Sequence, residues 1–167
     1  MNSVNYPHLT EQEPIIYTSA VLHDMCDKKY MDVDKGLNDI EELINKRFSS
    51  NDVDVIKEIM NTMSYSKVKK NGFPDLKRYQ SAYHIVREAD LLAAYDFDRC
   101  MAYDMYQKNT NVEQAYENAK TLFHNRVFKH YSDGLLTTDY SQTQHLILQP
   151  IAMRRITAWN NLLKHVK

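Results

Sequence analysis

The amino-acid sequence predicts an all-α protein. Its 167 residues include only 3 glycines and 4 prolines, the residues that most often interrupt regular structure. Leucine, isoleucine, methionine and tyrosine recur three and four residues apart, which is the period of an amphipathic helix. We therefore expect one compact domain over residues 1–167, built as a bundle of about six to seven helices.

Two amphipathic helices are predicted in the first part of the chain. Thr10 and Glu13 have the spacing of a capping box, and Pro14 suits a first helical turn. The first helix is expected to end at Asp27 or Lys28. An apolar stripe at helical spacing predicts the second helix, and its members are Val33, Leu37, Ile40, Ile44 and Phe48.

A third helix and a basic loop are predicted next. Ser50 or Asn51 can cap the helix. Its buried side is expected to contain Val53, Ile56, Ile59, Met60 and Met63. The helical period then fails over residues 64–78, which contain Gly72, Pro74 and several lysines and arginines. This segment is predicted to be a basic loop.

Two further helices follow that loop. The fourth is predicted over residues 79–94. Asp96 or Asp98 is expected to cap the fifth, with Met101 and Met105 on its inner face.

The sixth and last helices have the clearest apolar pattern. The stripe of the sixth contains Val112, Ala115, Tyr116, Ala119, Leu122, Phe123 and Val127. Arg126 and His130 fall within the same stripe, which is unusual for an arginine. Gly134 is predicted to end this region in a left-handed conformation. The last helix is expected from about Thr138, and Pro150 should kink or split it.

Charge and cysteine content exclude several classes of protein. The net charge is −1 and the pI is about 6.6, so we expect no nucleic acid and no anionic membrane as partner. Cys26 and Cys100 lie in helical patterns, which favours free thiols in a reducing compartment. No signal peptide or long apolar run is present. A soluble, cytoplasmic protein is therefore expected.

A candidate metal site begins with a His-Asp pair. On a helix, His23, Asp24 and Asp27 would lie within one turn of one another. Asp90 stands among alanine and leucine residues, where an unpaired carboxylate is costly, so a cation or a hydrogen-bond donor is expected beside it. Histidine nitrogen and aspartate oxygens suit Mn²⁺, Fe²⁺, Zn²⁺ or Mg²⁺.

Phosphate chemistry is the interpretation that these residue types favour. A divalent ion can polarise a phosphoryl oxygen and activate water for attack. Lys28 and Lys29 follow the acidic cluster directly and could offset the charge of a phosphate.

Several ordered segments resemble the HD-domain superfamily of metal-dependent phosphohydrolases, and small bacterial-type HD hydrolases in particular. They are Leu-His-Asp-Met-Cys-Asp-Lys-Lys-Tyr at 22–30, Asn-Thr-Met-Ser-Tyr-Ser at 61–66, His-Ile-Val-Arg-Glu-Ala-Asp-Leu-Leu at 84–92, Arg-Val-Phe at 126–128 and Ser-Asp-Gly-Leu at 132–135. The resemblance covers residues 10–141. It implies an HD-type helical domain. Residues 1–9 are polar and contain Pro7, so an irregular lead-in is predicted there, and a C-terminal helix is predicted at residues 142–167.

The resemblance also implies roles for individual residues. His23, Asp24 and Asp90 correspond to metal ligands of the family. Asp27 corresponds to the acidic residue that orients or deprotonates water, and Lys28 joins it as a candidate catalytic residue. The candidate substrate-binding residues are Lys29, Tyr65, Arg87 and Arg126. The expected substrate is a small phosphorylated molecule of the nucleotide type, and the expected cofactor is a divalent metal ion.

Other interpretations of these residues stay open. Asp90 can pair with Arg87 one turn earlier, and Arg126 is either a buried partner of a carboxylate or a phosphate contact. Tyr65 can stack on a base or close a pocket. The lysines of the basic loop, Lys67, Lys69 and Lys70, are expected to be solvated, and a phosphate clamp is the alternative. Four histidines are interpreted as residues of the surface or of the core edge, namely His84, His124, His130 and His145.

The family's first histidine ligand has no match in the chain, where His8 is the one histidine upstream of the His-Asp pair. The sequence therefore predicts a metal-dependent phosphohydrolase as the first hypothesis. A degenerate HD module that binds a nucleotide or a protein without catalysis is the second. A helical interaction domain is the third.

Overall fold

The computed structural model describes residues 7–26 and 32–165. All regular secondary structure assigned within these residues is helical, which confirms the predicted all-α class. The chain divides into two compact units, the N-terminal unit Met1–Arg87 and the C-terminal unit Glu88–Lys167. Each unit has a hydrophobic core of its own. The single domain over residues 1–167 stays a prediction.

The N-terminal unit is built from six helical segments and two 3-10 turns within the described residues. They are α1 (Pro7–Thr10), α2 (Glu13–Leu22), a 3-10 turn (His23–Cys26), α3 (Val33–Ile44), α4 (Ser50–Thr62), α5 (Tyr65–Asn71), a second 3-10 turn (Lys77–Tyr79) and the first part of α6 (Gln80–Ala93). The core side chains of this unit are Ile15, Ile40, Ile44, Val53, Ile56, Ile59, Met60, Met63, Tyr79, Tyr83 and Val86.

The start of α2 differs from the predicted capping box. Thr10 ends the short helix α1, and Gln12 occupies the N-cap position of α2 without a side-chain hydrogen bond. Pro14 lies in the first turn, as predicted. The α-helical part ends at Leu22, earlier than predicted, and the chain continues as the 3-10 turn that holds the His-Asp pair.

Side-chain caps define the starts of α3 and α4. The Asp32 carboxylate accepts a hydrogen bond from the backbone N–H of Lys35 at 3.0 Å. The Ser49 hydroxyl oxygen accepts one from the backbone N–H of Asp52 at 3.2 Å, so the cap of α4 lies one residue before the predicted position.

The prediction of a basic loop over residues 64–78 is wrong for residues 65–71, which form α5, whereas residues 72–76 have no regular secondary structure. The Ser64 side chain caps α5 by accepting a hydrogen bond from the backbone N–H of Lys67 at 3.4 Å. A helix this short buries only Val68, so no apolar period develops in the sequence. Gly72, at φ 77°, ends α5 in a conformation that other residues rarely adopt.

The C-terminal unit contains the end of α6 and three long helices. They are α7 (Phe97–Lys108), α8 (Val112–Asn125) and α9 (Asp139–His165), with a 3-10 turn at Val127–Lys129. The core contains Tyr95, Phe97, Met101, Ala115, Tyr116, Ala119, Phe123, Val127, Ala152 and Ile156. Asp96 caps α7 as predicted, by accepting a hydrogen bond from the backbone N–H of Arg99 at 3.0 Å. Met105, predicted on the inner face, is instead exposed.

The last helix runs through its proline. Gly134 lies at φ 69°, which matches the predicted left-handed stop before α9. Pro150 lies inside the 27-residue α9 without dividing it, because the flanking turns supply enough hydrogen bonds to carry the helix across one missing N–H. Among the described helices, none has the length and apolar character needed to cross a membrane.

Candidate functional site

The His-Asp pair lies on the 3-10 turn His23–Cys26. The Nδ1 atom of His23 is 2.6 Å from the carbonyl oxygen of Ala20. A carbonyl oxygen only accepts, so Nδ1 carries a proton. The other ring nitrogen, Nε2, is 3.2 Å from Oδ1 of Asp24. Since Nε2 of a neutral ring and a carboxylate oxygen both present lone pairs, this contact needs a proton or another cation at Nε2.

His23 and Asp24 are positioned so that both side chains could bind one divalent metal ion. Metal-binding histidines commonly donate their second ring N–H to a carbonyl or carboxylate oxygen, as His23 does to Ala20. An imidazole nitrogen and a carboxylate oxygen suit Mn²⁺, Fe²⁺ or Zn²⁺. The Asp24 side chain is 69% exposed, so solvent reaches it directly.

Only some of the remaining predicted ligands and catalytic residues belong to the part of the chain that the structure describes. Asp27, Lys28 and Lys29 lie outside the described residues. Asp90 is half-buried on α6, in the C-terminal unit, and its action together with His23 and Asp24 stays a prediction. Within residues 7–26 and 32–165, no three His, Cys, Asp or Glu side chains form a group that could hold a metal ion.

The His-Asp turn contacts α3 and α4 within the N-terminal unit. Met25, on the same turn, packs against the apolar cluster that contains Met60 and Met63. The turn is therefore held by the core next to α4, whose last two residues line a cleft.

That cleft, the α4–α5 cleft, has a volume of about 480 Å³. Its lining side chains are polar or basic except at one end, and they are Asn61, Thr62, Ser66, Lys67, Lys70, Asn71, Gly72, Phe73 and Pro74. Such a lining, with amides, hydroxyls and two ammonium groups around a small volume, suits an anionic ligand of limited size.

The two lysines of the α4–α5 cleft are held differently. Lys67 Nζ donates to the carbonyl oxygen of Asn61 and, at 2.7 Å, to its side-chain Oδ1. This fixes α5 against the end of α4. Lys70 is exposed and forms no ion pair with any residue that the structure describes. Its charge is therefore available to a ligand.

Phe73 lines the α4–α5 cleft, and Arg87, which is not part of the lining, contacts the Phe73 ring. Arg87 is 1% exposed, and its guanidinium carbon lies 4.7 Å from the centre of the Phe73 ring. Its Nη2 is 3.2 Å from Nδ1 of His84. Because a guanidinium only donates, Nδ1 of His84 accepts this hydrogen bond.

Tyr83 links this cluster to α4. Its hydroxyl donates to the carbonyl oxygen of Thr62 at 3.4 Å, and burial raises the pKa of its phenol. The phenol therefore stays protonated and acts as a hydrogen-bond donor. His84, interpreted from the sequence as a core-edge residue, lies edge-on to Phe73 with ring centres 5.0 Å apart.

Two other predicted substrate-binding residues, Tyr65 and Arg126, are not among the residues that line the α4–α5 cleft. Tyr65 is the first residue of α5 and is half-buried. Arg126 is half-buried at the C-cap of α8, in the C-terminal unit. Its charge lowers the pKa of the Cys100 thiol, but burial raises that pKa by more.

Sequence reasoning missed the residues that line the α4–α5 cleft. The sequence predicts Lys67 and Lys70 to be solvated in a loop, whereas α5 places both beside the end of α4. Two signals point to this arrangement: Ser64 lies three residues before Lys67, which is a capping distance, and Gly72 with Pro74 marks a helix end.

In comparisons with known proteins, no family model, curated protein or solved structure matches this chain. The resemblance to HD-domain proteins therefore stays a prediction.

Proposed function

We propose that the protein is a metal-dependent phosphohydrolase of the HD type, acting on a small phosphorylated molecule of the nucleotide class. The observation that carries this proposal is the His23–Asp24 geometry. Nδ1 of His23 is committed to the Ala20 carbonyl, and Nε2 is 3.2 Å from the Asp24 carboxylate. A pair arranged in this way offers one nitrogen and one oxygen ligand to a divalent cation.

The metal-binding residues in this proposal are His23 and Asp24, and the resemblance to HD-domain proteins assigns Asp90 as a third ligand. A divalent ion would act as a Lewis acid on the phosphoryl group and activate water for attack. Asp27 would accept a proton from the attacking water, and Lys28 would assist it as the second catalytic residue. Lys29 and Arg126 offset phosphate charge.

The α4–α5 cleft supplies the rest of the substrate site. Lys70 and Ser66 bind phosphate oxygens, since both line the cleft with polar side chains. The Phe73 ring offers an apolar face for a base, and Tyr65 closes over it. Arg87 is buried behind Phe73, so in this proposal it positions Phe73 and His84 and acts on the phosphate only through its charge.

The experiment measures phosphate release from a panel of nucleoside mono-, di- and triphosphates with Mn²⁺ or Mg²⁺ added. We expect hydrolysis that a chelator abolishes. His23→Ala and Asp24→Asn should each lower the rate at least about 100-fold, because each substitution removes a side chain that binds the ion directly.

Asp54→Asn and His124→Ala are the matched controls, since Asp54 is exposed on α4 and His124 is exposed on α8. Both should keep full activity. If calorimetry shows that the wild-type protein binds a nucleotide without hydrolysing it, the protein is a degenerate binding module and not an enzyme. A wild-type protein that takes up neither metal nor nucleotide contradicts the proposal altogether.

A further inference from the structure

A second cleft, the α2–α4 cleft, has a volume of about 340 Å³ and lies within the N-terminal unit. It is formed by the start of α2, the segment between α3 and α4, and the 3-10 turn before α6. The side chains that matter for its chemistry are Glu11, Gln12, Ile15, Arg47, Phe48 and Arg78. None of them belongs to the His-Asp turn or to the α4–α5 cleft.

Gln12 supplies a buried acceptor without a partner. Its side chain is 8% exposed, and its Nε2 donates to the carbonyl oxygen of Arg78 at 2.9 Å. This hydrogen bond fixes the orientation of the Gln12 amide, because the Arg78 carbonyl oxygen accepts and only the amide nitrogen can donate to it. The Oε1 atom has no hydrogen-bond partner among the residues that the structure describes. A buried acceptor of this kind favours a ligand that brings an N–H or O–H donor.

Two arginines supply the positive side of the α2–α4 cleft. Arg78 lies over the Tyr79 ring at 4.6 Å and donates to the Tyr79 hydroxyl. Tyr79 in turn donates to the carboxylate of Asp52 at 3.0 Å. Arg47 is exposed and forms no ion pair within the described part of the chain. Its guanidinium is therefore available for a carboxylate.

The charges around the α2–α4 cleft balance. Arg47 and Arg78 are matched by Glu11 and Asp52. A site for a simple anion would have an excess of positive charge, whereas equal numbers of both signs are complementary to a zwitterion. Ile15 and Phe48 add an apolar wall.

We propose that the α2–α4 cleft binds a free α-amino acid with an apolar side chain. The ligand's carboxylate pairs with Arg47, and its ammonium donates to Gln12 Oε1 beside Glu11. Its side chain packs against Phe48 and Ile15. This site is separate from the proposed hydrolase site and does not depend on it.

Titration calorimetry of the full chain with three small probes tests the proposal. L-Leucine carries both charges, 4-methylpentanoate lacks the ammonium group, and 3-methylbutylamine lacks the carboxylate. We expect leucine to bind at least tenfold more tightly than either analogue, since only leucine meets both ends of the site. Equal affinity for leucine and 4-methylpentanoate would overturn the zwitterion assignment, and no binding of leucine would overturn the site itself.

Variants connect the binding to the named residues. Arg47→Met removes an exposed guanidinium that supports no other described group, so this variant should fold normally and bind leucine at least tenfold more weakly. Gln12→Leu should weaken leucine binding but leave 4-methylpentanoate unchanged. Arg154→Met, at an exposed arginine of α9, is the matched control and should bind leucine like the wild type. Normal leucine binding by folded Arg47→Met contradicts the proposal.

Discussion

The Glu88 carboxylate accepts two hydrogen bonds from Thr137, one from the backbone N–H at 2.9 Å and one from the hydroxyl at 2.6 Å. Thr138 makes the same pair of bonds to the other carboxylate oxygen, at 3.1 and 2.6 Å. Glu88 is 2% exposed, and both threonines directly precede α9. One buried carboxylate thus fixes the start of the longest helix of the C-terminal unit.

Replacing this carboxylate by an amide should destabilise the protein. In Glu88→Gln, the side-chain amide brings N–H donors to positions already filled by the donors of Thr137 and Thr138. The expected loss in the free energy of unfolding is about 2–3 kcal/mol, the range for a buried charged hydrogen-bonding group. Denaturant unfolding at pH 7 measures it. Glu117→Gln is the control, because its ion pair with Lys120 is exposed and should contribute less than about 1 kcal/mol.

The same carboxylate predicts a loss of stability in acid. Burial raises the pKa of Glu88, and hydrogen bonds from Ser141, Thr137 and Thr138 lower it by more, so the folded value lies below the ordinary 4.5. The unfolded chain therefore takes up this proton first as the pH falls. The stabilisation is complete above about pH 4.5 and is lost as the pH falls through the folded pKa. The stability difference between wild type and Glu88→Gln should shrink below pH 4.5; a constant difference would contradict this assignment.

His145 predicts a second acid-sensitive contribution, at higher pH. It is 5% exposed, its ring stacks on Tyr131 at 5.2 Å, and its Nδ1 lies 2.7 Å from the Tyr95 hydroxyl. Burial lowers the pKa of His145 below 6.5, so the unfolded chain binds this proton more readily than the folded chain. The contribution of His145 to the free energy of unfolding is therefore fully present above about pH 6.5 and decreases below it.

Replacing His145 by a residue that does not titrate should remove this pH dependence of folding stability. His145→Gln is expected to be less stable than wild type at pH 7.5 but to lose less stability between pH 6.5 and 5. His124→Gln, at an exposed position of α8, should keep the wild-type slope. The measurement is the free energy of unfolding at several pH values. If His145→Gln and the wild type show the same slope, another group is responsible.

Long amphipathic helices could be predicted from the sequence, whereas short ones could not. The apolar stripes of α4 and α8 span several turns, and most of their predicted residues are buried. The helix α5 has seven residues and one buried side chain, so its sequence pattern resembles that of a basic loop. Exposed Met105 has the helical spacing of a core residue, and only the packing around α7 decides which side it occupies.

The candidate site could be predicted only where neighbours in sequence are neighbours in space. His23 and Asp24 are adjacent in the chain and interact. Phe73 and Arg87 are fourteen positions apart, and their contact depends on how the segment after α5 returns to α6. No local spacing indicates such a contact. The sequence does not indicate a structural role for Glu88, because its partners Thr137 and Thr138 are distant in the chain.

Removing the proline from α9 should stabilise the C-terminal unit. Pro150 is exposed inside the helix and cannot donate the backbone hydrogen bond of its position. Pro150→Ala restores that donor, although the greater freedom of the unfolded chain offsets part of the gain, so the net increase should be about 1–2 kcal/mol. Thermal unfolding measures it. Gln149→Ala is the control, since it changes the neighbouring side chain without restoring a donor. A lower melting temperature for Pro150→Ala would mean that the proline fits a bend that α9 requires.

The exposed Lys70 should affect substrate binding without affecting stability, if the α4–α5 cleft binds the phosphorylated substrate as proposed. Its ammonium lines the cleft and forms no ion pair within the described residues, so Lys70→Gln removes no internal contact there. Loss of one charge-assisted contact to phosphate should raise KM about tenfold and leave kcat nearly unchanged, because the contact is the same in substrate and transition state. Lys46→Gln, at another exposed lysine, should change neither constant. Steady-state kinetics with the best substrate of the nucleotide panel measures both, and a fall in kcat with KM unchanged would place Lys70 in the chemical step instead.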